Sequence, residues 1–132
     1  MRQDELSEYA CEEHTPPRVY EIDRAIVVEL HGEIDLAGCR RIAPLIDAVA
    51  SGPEPIVLVD LSEVDFFDCS GLTMLVRVHR RVSERGARFG VVCAHPLTLR
   101  ILRLTHLIGL LRPAPTVGAA LAALGEVTQR DA

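Results

Sequence analysis

The sequence predicts a single α/β domain, with a mixed, mostly parallel sheet of four to five strands packed against about four helices. Two observations lead to this fold class. Apolar strand candidates alternate with segments whose apolar residues recur at helical spacing, which is typical of a parallel sheet covered by helices. The chain has 132 residues, of which 48% are hydrophobic, and a chain of this size and composition can build one hydrophobic core.

The order of the predicted elements follows from this alternation. In chain order we predict strands at 19–22 and 25–30, a turn at 31–35, a helix at 36–50, a buried strand at 56–60, a helix from Ser70 to Gly86, a strand at 87–93, a helix after Pro96, a short strand at 110–111 and a helix at 117–124. Asp23-Arg24 suits a hairpin turn, and Pro44 indicates an irregular first turn in the first helix. Thr116 is expected to cap the last helix and Gly125 to close it.

The N-terminal segment differs from the rest of the chain in charge. Residues 1–17 hold one arginine against five acids, whereas the whole chain has a formal net charge of −5. A polar, acidic segment that ends in Pro16-Pro17 has little apolar surface to bury and is expected to be disordered. We therefore expect an acidic tail at 1–17, a folded domain at 18–125 and a short C-terminal tail at 126–132.

Residue usage excludes several kinds of site. The four cysteines stand far apart without a Cys-x-x-Cys pair, so neither a zinc site nor a disulfide framework is indicated, and we expect free thiols. The chain has no lysine, which removes a P-loop nucleotide site and a Schiff-base enzyme. The five histidines belong to different predicted elements. We expect no metal and no cofactor.

Two location classes are also disfavoured. No apolar run approaches the ~20 residues that cross a bilayer, and the N-terminus lacks the apolar stretch of a signal peptide. We expect a cytoplasmic protein that does not bind membranes. Five arginines could form a nucleic-acid patch, but with 4% aromatic residues the chain lacks stacking platforms, and we interpret them as a solvated helix face. They are Arg77, Arg80, Arg81, Arg85 and Arg88.

Candidate functional residues concentrate in the stretch 64–75. Here the central apolar strand stops, acids cluster at Asp65 and Asp68, and a helix is expected to begin at Ser70. Serine is a favoured N-cap residue, because its side-chain oxygen accepts a hydrogen bond from a free backbone N–H of the first turn. Gly86 suits the left-handed position after the helix. Position alone therefore makes Ser70 a cap, and only its surroundings argue for more.

Three motifs carry a resemblance to a known family. They are His31-Gly32-Glu33-Ile34-Asp35, Val57-Leu58-Val59-Asp60-Leu61 and Asp65-Phe66-Phe67-Asp68-Cys69-Ser70-Gly71-Leu72. Together they resemble the STAS family, the domain of anti-sigma factor antagonists and sulphate transporters. The resemblance covers residues 18 to about 125 and implies a STAS-like fold.

The resemblance also implies site residues. In antagonists of this family, the serine before the glycine is phosphorylated by the anti-sigma factor, itself a kinase, and that position is Ser70. Asp68 corresponds to the motif aspartate, and Asp35 to the acid of the Gly-Glu-x-Asp turn beside the phosphorylation site. The sequence departs from the family at Cys69, where another serine is usual, and at Thr73, where a small residue is frequent.

We expect the partner to contact residues 32–35 and the first two turns of the Ser70 helix, because both follow strand ends. The expected partner-binding residues are Asp35, Asp68, Gly71, Thr73 and Met74. Each has a structural alternative. The two acids can be turn and cap residues, and Gly71 can relieve a crowded helix–sheet contact rather than admit a partner. Met74, with Val78, can lie in the core rather than on a docking margin.

Three functions compete for this site. The first is a phosphorylatable binding module that frees a sigma factor by sequestering its anti-sigma factor, with that serine kinase and a phosphatase as partners and no direct nucleic-acid binding. The second is a STAS subunit of a lipid-trafficking ABC transporter, which binds an ATPase without a phosphoserine. The third is a serine hydrolase, but Ser70 lacks a Gly-x-Ser-x-Gly elbow and a histidine placed to act as its base. We expect the first.

Overall fold

The computed structural model describes residues 15–131, with side chains over residues 15–125. In this range it contains β1 (Arg18–Ile22), β2 (Ala25–Ile34), α1 (Leu36–Ala50), β3 (Ile56–Phe67), α2 (Cys69–Glu84), β4 (Arg88–Val92), α3 (Pro96–Leu104), α4 (Ile108–Leu111) and α5 (Val117–Asp131). The strands form one sheet in the order β1-β2-β3-β4. β1 pairs antiparallel with β2, and the other two pairs are parallel. The predicted α/β fold with a mixed, mostly parallel sheet is confirmed.

The sheet is covered on both faces. Because side chains alternate along a strand, neighbouring residues of β3 enter different cores. Val57 and Val59 belong to the larger core, which packs against α1, α2, α3 and α4, whereas Leu58 belongs to a smaller core that includes Leu124 of α5. The predicted burial of this strand on both faces is confirmed.

β2 is longer than predicted. The segment expected to turn at 31–35 continues as a strand to Ile34. Its pairing with β3 shifts register twice, between Glu29 and His31 and between Gly32 and Glu33, and Gly32 has a φ of +71°, which favours glycine. Irregular pairing bends this strand end without terminating it. The predicted turn is therefore wrong, and the segment is a bulged strand that still pairs with β3.

Two helix ends test the sequence signals directly. Gly86 follows α2 with a φ of +80°; its N–H donates to the Ser83 carbonyl at 3.0 Å, and the Ala87 N–H donates to the Val82 carbonyl at 3.1 Å. These two bonds form a Schellman motif, so the prediction for Gly86 is confirmed. In α1 the helix begins at Leu36 and contains Pro44 well past its first turn, so the irregular first turn is wrong.

The C-terminal part differs from the prediction in two places. Residues 110–111 lie in the short helix α4, where the Leu111 N–H donates to the Leu107 carbonyl at 2.9 Å, and a parallel bridge to Val92 forms at Ala114 instead. Thr116 caps α5 as predicted, accepting from the Ala119 N–H at 3.0 Å. Gly125 does not close α5, which continues to Asp131, because one glycine inside a helix costs only about 0.5–1 kcal/mol.

Some expectations fall outside this range. The disorder predicted for the acidic tail concerns mainly residues 1–14, which lie outside the described residues; the strand that follows begins at Arg18. Across residues 15–131, no helix combines the length and apolar character needed to cross a membrane.

Candidate functional site

Two helices begin side by side at one edge of the sheet. Ile34 at the end of β2 pairs with Phe67 at the end of β3, so the residues that follow them, Asp35 and Asp68, stand at the same edge. The Asp68 N–H donates to the Ile34 carbonyl at 3.3 Å, which ties the two helix starts together. α1 and α2 therefore start next to each other at the carboxyl edge of parallel strands.

Both aspartates are N-caps. Asp35 Oδ1 accepts from the Gly38 N–H, and Asp68 Oδ1 accepts from the Ser70 N–H, each at 2.8 Å. A cap of this kind stabilises a helix by about 0.5–2 kcal/mol, and its negative charge interacts favourably with the helix N-terminus. The alternative reading of these acids as caps is therefore realised in the structure.

The prediction that Ser70 is itself the N-cap is wrong. Ser70 is the second residue of α2, which Asp68 begins two positions earlier. The carboxylate of Asp68 takes the first-turn N–H that a serine cap would have used. The Ser70 hydroxyl is consequently not needed to start the helix.

The Ser70 side chain lines a groove between α1 and α2, which we call the Ser70 groove. Its volume is about 360 Å³. α1 contributes Leu36, Cys39, Arg40 and Ala43, and α2 contributes Ser70, Thr73, Met74 and Arg77. Each set recurs at three- and four-residue spacing, as residues on one face of a helix do. A half-buried serine hydroxyl thus stands in the wall of an open groove.

The predicted contact residues divide into exposed and buried ones. Thr73 is exposed, and its hydroxyl donates to the Cys69 carbonyl at 3.0 Å. Met74 is only 5% exposed and packs with Val78 in the larger core, so the core reading holds for both residues, although Met74 also forms part of the groove wall. Met74 and Val78 therefore do not form the exposed apolar docking margin that the sequence allowed as an alternative to the core.

Gly71 is buried against the sheet. A Cβ built on it would stand 2.8 Å from Phe67 Cδ2 and nearer still to Cε2. The aromatic ring is itself buried, so it has little room to move aside. This geometry favours the crowded helix–sheet contact over a site of partner approach.

Sequence reasoning missed two exposed apolar side chains beside the caps. Leu36, the first residue of α1, is 53% exposed, and Phe66, near the end of β3, is 52% exposed. Strand alternation carries the signal for Phe66, because Phe67 points inward and its neighbour must then point outward. Leu36 follows a capping aspartate at a helix start, where the chain has not yet entered the core.

Cys39 lines the Ser70 groove close to both capping aspartates. Burial raises the pKa of the Cys39 thiol above its ordinary value of 9.0; the carboxylates of Asp68 and Asp35 raise this pKa further, while the Arg77 guanidinium opposes them. The pKa of the thiol therefore depends on the charges of both capping aspartates. This field favours the protonated thiol at the centre of the site.

Several of the arginines interpreted as a solvated helix face interact within the domain. Arg77 and Arg81 reach Asp47 Oδ1 at 3.4 and 3.2 Å, and exposed pairs of this kind contribute about 0–1 kcal/mol. Arg85 donates to the carbonyls of Ala50 and Glu54 at 2.8 and 2.7 Å. These contacts join α2 to α1 and to the loop after it, which is a structural use of arginine.

Three histidines of the described residues make contacts with groups other than Ser70. His31 pairs with Glu29 at 3.0 Å, the His79 ring meets Phe89 edge to face, and His95 Nδ1 accepts from the Leu97 N–H at 3.3 Å. Within the described part of the chain, no three or more His, Cys, Asp or Glu side chains are grouped to hold a metal ion. The site therefore combines the half-buried Ser70 with the capping carboxylates of the two adjoining helix starts.

Comparison with known proteins identifies the family. A family model described as "STAS domain" matches residues 16–120, and the chain belongs to the STAS domain family. The crystal structure of an anti-sigma factor antagonist from Mycobacterium paratuberculosis is 32% identical, with a TM-score of 0.76 over 82% of this chain and 92% of that chain. The chain thus resembles anti-sigma factor antagonists in sequence as well as in fold.

Other structures extend the likeness. An anti-sigma-factor antagonist (STAS) domain protein from Planctomyces limnophilus is 26% identical, with a TM-score of 0.75 over 83% of this chain and 98% of that one. The Bacillus cell fate determinant SpoIIAA in its phosphorylated form is 18% identical, with a TM-score of 0.63 over 81% and 97% of the two chains, which shows a shared fold alone. No curated protein matches the chain significantly.

Proposed function

We propose that this protein is an anti-sigma factor antagonist that works as a phosphorylatable binding module and not as an enzyme. While Ser70 is unphosphorylated, the protein sequesters an anti-sigma factor, itself a serine kinase, and so releases a sigma factor in the cytoplasm. Phosphorylation of Ser70 ends the complex, and a phosphatase restores it. The observation that carries the proposal is the half-buried Ser70 hydroxyl in the groove wall, relieved of capping by Asp68.

The surroundings of Ser70 suit a switch. A phosphate carries roughly −1.5 to −2 charges, and a helix N-terminus favours such an anion by only about 0.3–1 kcal/mol on a surface. The Ser70 N–H is already bonded to the Asp68 carboxylate, so the phosphate does not gain that donor without displacing the cap. At an assumed separation of about 6 Å and an effective dielectric of about 20, each unit-charge repulsion from a carboxylate is roughly 3 kcal/mol before screening. Repulsion exceeds attraction.

The isolated domain relieves this repulsion because the groove is open to water. A partner that closes over the groove removes that relief, and every ~1.4 kcal/mol that remains lowers the affinity tenfold. We propose that the partner contacts exposed Thr73 together with the exposed apolar side chains Leu36 and Phe66. The exposed contact residues are then held in place by the less exposed residues of the site, which are Asp35, Asp68, Gly71 and Met74.

The test is titration calorimetry against the kinase that copurifies with the protein. We expect Ser70→Ala to bind constitutively, and Ser70→Asp and the phosphoprotein to bind at least about tenfold more weakly if even ~1.4 kcal/mol of repulsion stays unrelieved. Ser83→Asp places the same charge at an exposed position of the same helix and should bind like the unsubstituted protein.

A second arm examines whether position in the helix is sufficient. Ala37 is the second residue of α1, as Ser70 is of α2. In a Ser70→Ala background, Ala37→Ser should restore no phosphorylation, because the kinase must engage the α2 side of the groove. Equal affinities for the Ala variant, the Asp variant and the phosphoprotein would exclude the switch; copurification with a transporter ATPase would then favour the transporter-subunit function.

A further inference from the structure

The helix α3 exposes an apolar stripe on the side that faces away from the core. Thr98 and Leu102 are buried and turn one side of the helix toward the sheet. Leu97 and Leu104 are 66% and 68% exposed, and half-buried Ile101 lies between them. Because residues three and four apart lie on the same face of a helix, these three side chains form one stripe, which we call the α3 stripe.

The spacing of the α3 stripe is that of a contact between two helices. Leu97, Ile101 and Leu104 stand four and then three residues apart, as successive d, a and d positions of a heptad repeat do, and side chains at these positions pack against a second helix. Arg100 directly precedes Ile101 and so takes the g position, where salt bridges form between helices. The stripe therefore presents one half of a helix–helix contact.

The same helix carries positive charge without local compensation. Residues 85–125 include five arginines and no acid. Arg100 and Arg103 are exposed on α3, and among the described residues neither guanidinium group has a hydrogen-bond or ion-pair partner. This distinguishes them from Arg77, which is paired with Asp47. Two unpaired arginines beside an apolar stripe favour a ligand that combines apolar side chains with acids.

The acid that acts on the start of α3 is buried. Burial raises the pKa of the Cys93 thiol, and the Asp60 carboxylate adds to this effect. Asp60 is only 5% exposed, and its Oδ1 accepts from the Ser62 N–H at 2.9 Å. Its carboxylate thus belongs to the core and does not pair with the exposed arginines of α3.

Charge separates the kinds of ligand that could cover the α3 stripe. A second copy of α3 would bring the same arginines against each other, and like charges repel. An anionic bilayer is an extended surface that would also repel the acids of residues 18–76, which hold eleven acids against four arginines. An acidic helix of another protein is small enough to meet only the basic surface of α3.

We propose that the α3 stripe docks an amphipathic helix of a second protein, in which acids flank the apolar side chains. The apolar side chains pack on Leu97, Ile101 and Leu104, and the acids pair with Arg100 and Arg103. This surface is separate from the Ser70 groove, which α1 and α2 line. The inference therefore does not rest on the proposed phosphorylation.

An acidic helical peptide is the probe for this surface. It has about 21 residues in three heptads, with leucine at a and d and glutamate at e and g. The matched control peptide has lysine at e and g, so it repels itself equally but carries the opposite charge. We expect the isotope-labelled full chain to show saturable amide shifts at residues 97–104 with the acidic peptide and none there with the lysine peptide.

Matched variants separate the apolar part from the electrostatic part. Leu104→Gln should weaken the affinity for the acidic peptide at least about tenfold, which corresponds to ~1.4 kcal/mol. Arg100→Gln should weaken it by up to about fivefold, the range of an exposed ion pair. The controls are Val19→Thr, an exposed apolar residue of β1, and Arg80→Gln, an exposed arginine of α2. All four replaced side chains are exposed, so the variants should keep the fold, and both controls should keep the affinity.

Four results would overturn the inference. The first is no saturable binding, or equal affinity for both peptides or for Leu104→Gln. The second is shifts centred on Leu36 and Phe66, which would place the peptide beside Ser70. The third is shifts of residues 97–104 that depend on protein concentration without peptide, which would mean contact between copies. The fourth is binding to phosphatidylserine vesicles, but not to the peptide, that Leu104→Gln abolishes. No kinase is present in any arm, so failure here leaves the proposed function untouched.

Discussion

The starts of α1 and α2 share the same capping arrangement but differ in the side chain at the second helical position. Each has an aspartate N-cap followed three residues later by a glycine, in Asp35-Leu36-Ala37-Gly38 and Asp68-Cys69-Ser70-Gly71. The caps follow paired strand ends and accept at the same distance of 2.8 Å, but Asp35 accepts from the third helical residue and Asp68 from the second. Only the α2 start carries a hydroxyl at that second position. The cap motif thus supplies scaffolding, and the proposed function depends on one side chain added to it.

The two glycines show the same division between scaffold and function. A Cβ on Gly38 would stand 2.5 Å from the Glu33 carbonyl oxygen, and one on Gly71 would overlap the Phe67 ring. Each helix start is therefore pressed against the strand before it. Glycine at both starts indicates a packing requirement that does not depend on whether a serine is present.

The largest effect expected from this comparison is the loss of stability in Gly71→Val. Overpacking a core costs typically about 1–3 kcal/mol and occasionally more, and the buried Phe67 ring leaves no room for the added side chain. Chemical denaturation should show a lower free energy of unfolding. The matched control is Gly118→Val in the first turn of α5, where a Cβ would meet only Thr116 Oγ1 at 3.9 Å.

Phosphorylation of the Gly71→Val protein separates the two readings of this glycine. If the variant is as stable as the control but is phosphorylated slowly, the glycine admits a partner, as the sequence allowed. If it unfolds at lower denaturant, the glycine serves packing.

A smaller effect is expected from removing each cap in turn. Asp35→Ala and Asp68→Ala should each lower the free energy of unfolding by about 0.5–2 kcal/mol. Because the Asp68 cap holds the Ser70 N–H, only Asp68→Ala should also change how Ser70 is phosphorylated and how phosphate affects stability. Paired denaturation curves of phosphorylated and unphosphorylated protein measure this. Identical behaviour of the two variants toward phosphate would show that the caps are equivalent and that the comparison carries no functional difference.

The sequence was informative where one local signal dominated. The hairpin at Asp23-Arg24, the bounds of α1 and the left-handed Gly86 follow from residues with few alternatives. The cap of α2 was assigned to the wrong residue because acids and a serine that can all cap a helix stand within a few positions. The outcome depended on where β3 stops, and that is set by pairing with β2 up to Phe67.

Which side chains of the site are exposed and which are buried could not be predicted from the sequence, because this depends on how the helices pack in the tertiary structure. Met74 and Val78 continue the apolar face of α2, but whether this margin is covered depends on α1 packing beside it, which periodicity in α2 does not reveal. Leu36 and Phe66 were overlooked for the converse reason, since apolar residues are expected inside. The Ser70 groove exists only because two helices start together, and each helix contributes half of its wall.

The smallest expected effect uses Cys39 as a probe between the two helix starts. The carboxylates of Asp68 and Asp35 both raise the pKa of this thiol, Asp68 more than Asp35, after the larger effect of burial. Removing either charge lowers the pKa, so at a fixed pH below 9 more of the thiol is ionised, and the thiolate is the reactive form.

Alkylation of Cys39, followed by mass spectrometry of the labelled peptide, should accelerate in Asp68→Asn more than in Asp35→Asn. Asp23→Asn, at the far end of the sheet, is the control and should leave the rate unchanged; an equal acceleration there would mean that the thiol does not sense the caps. Phosphate on Ser70 should act in the opposite direction and slow the reaction, because it adds negative charge to the same groove.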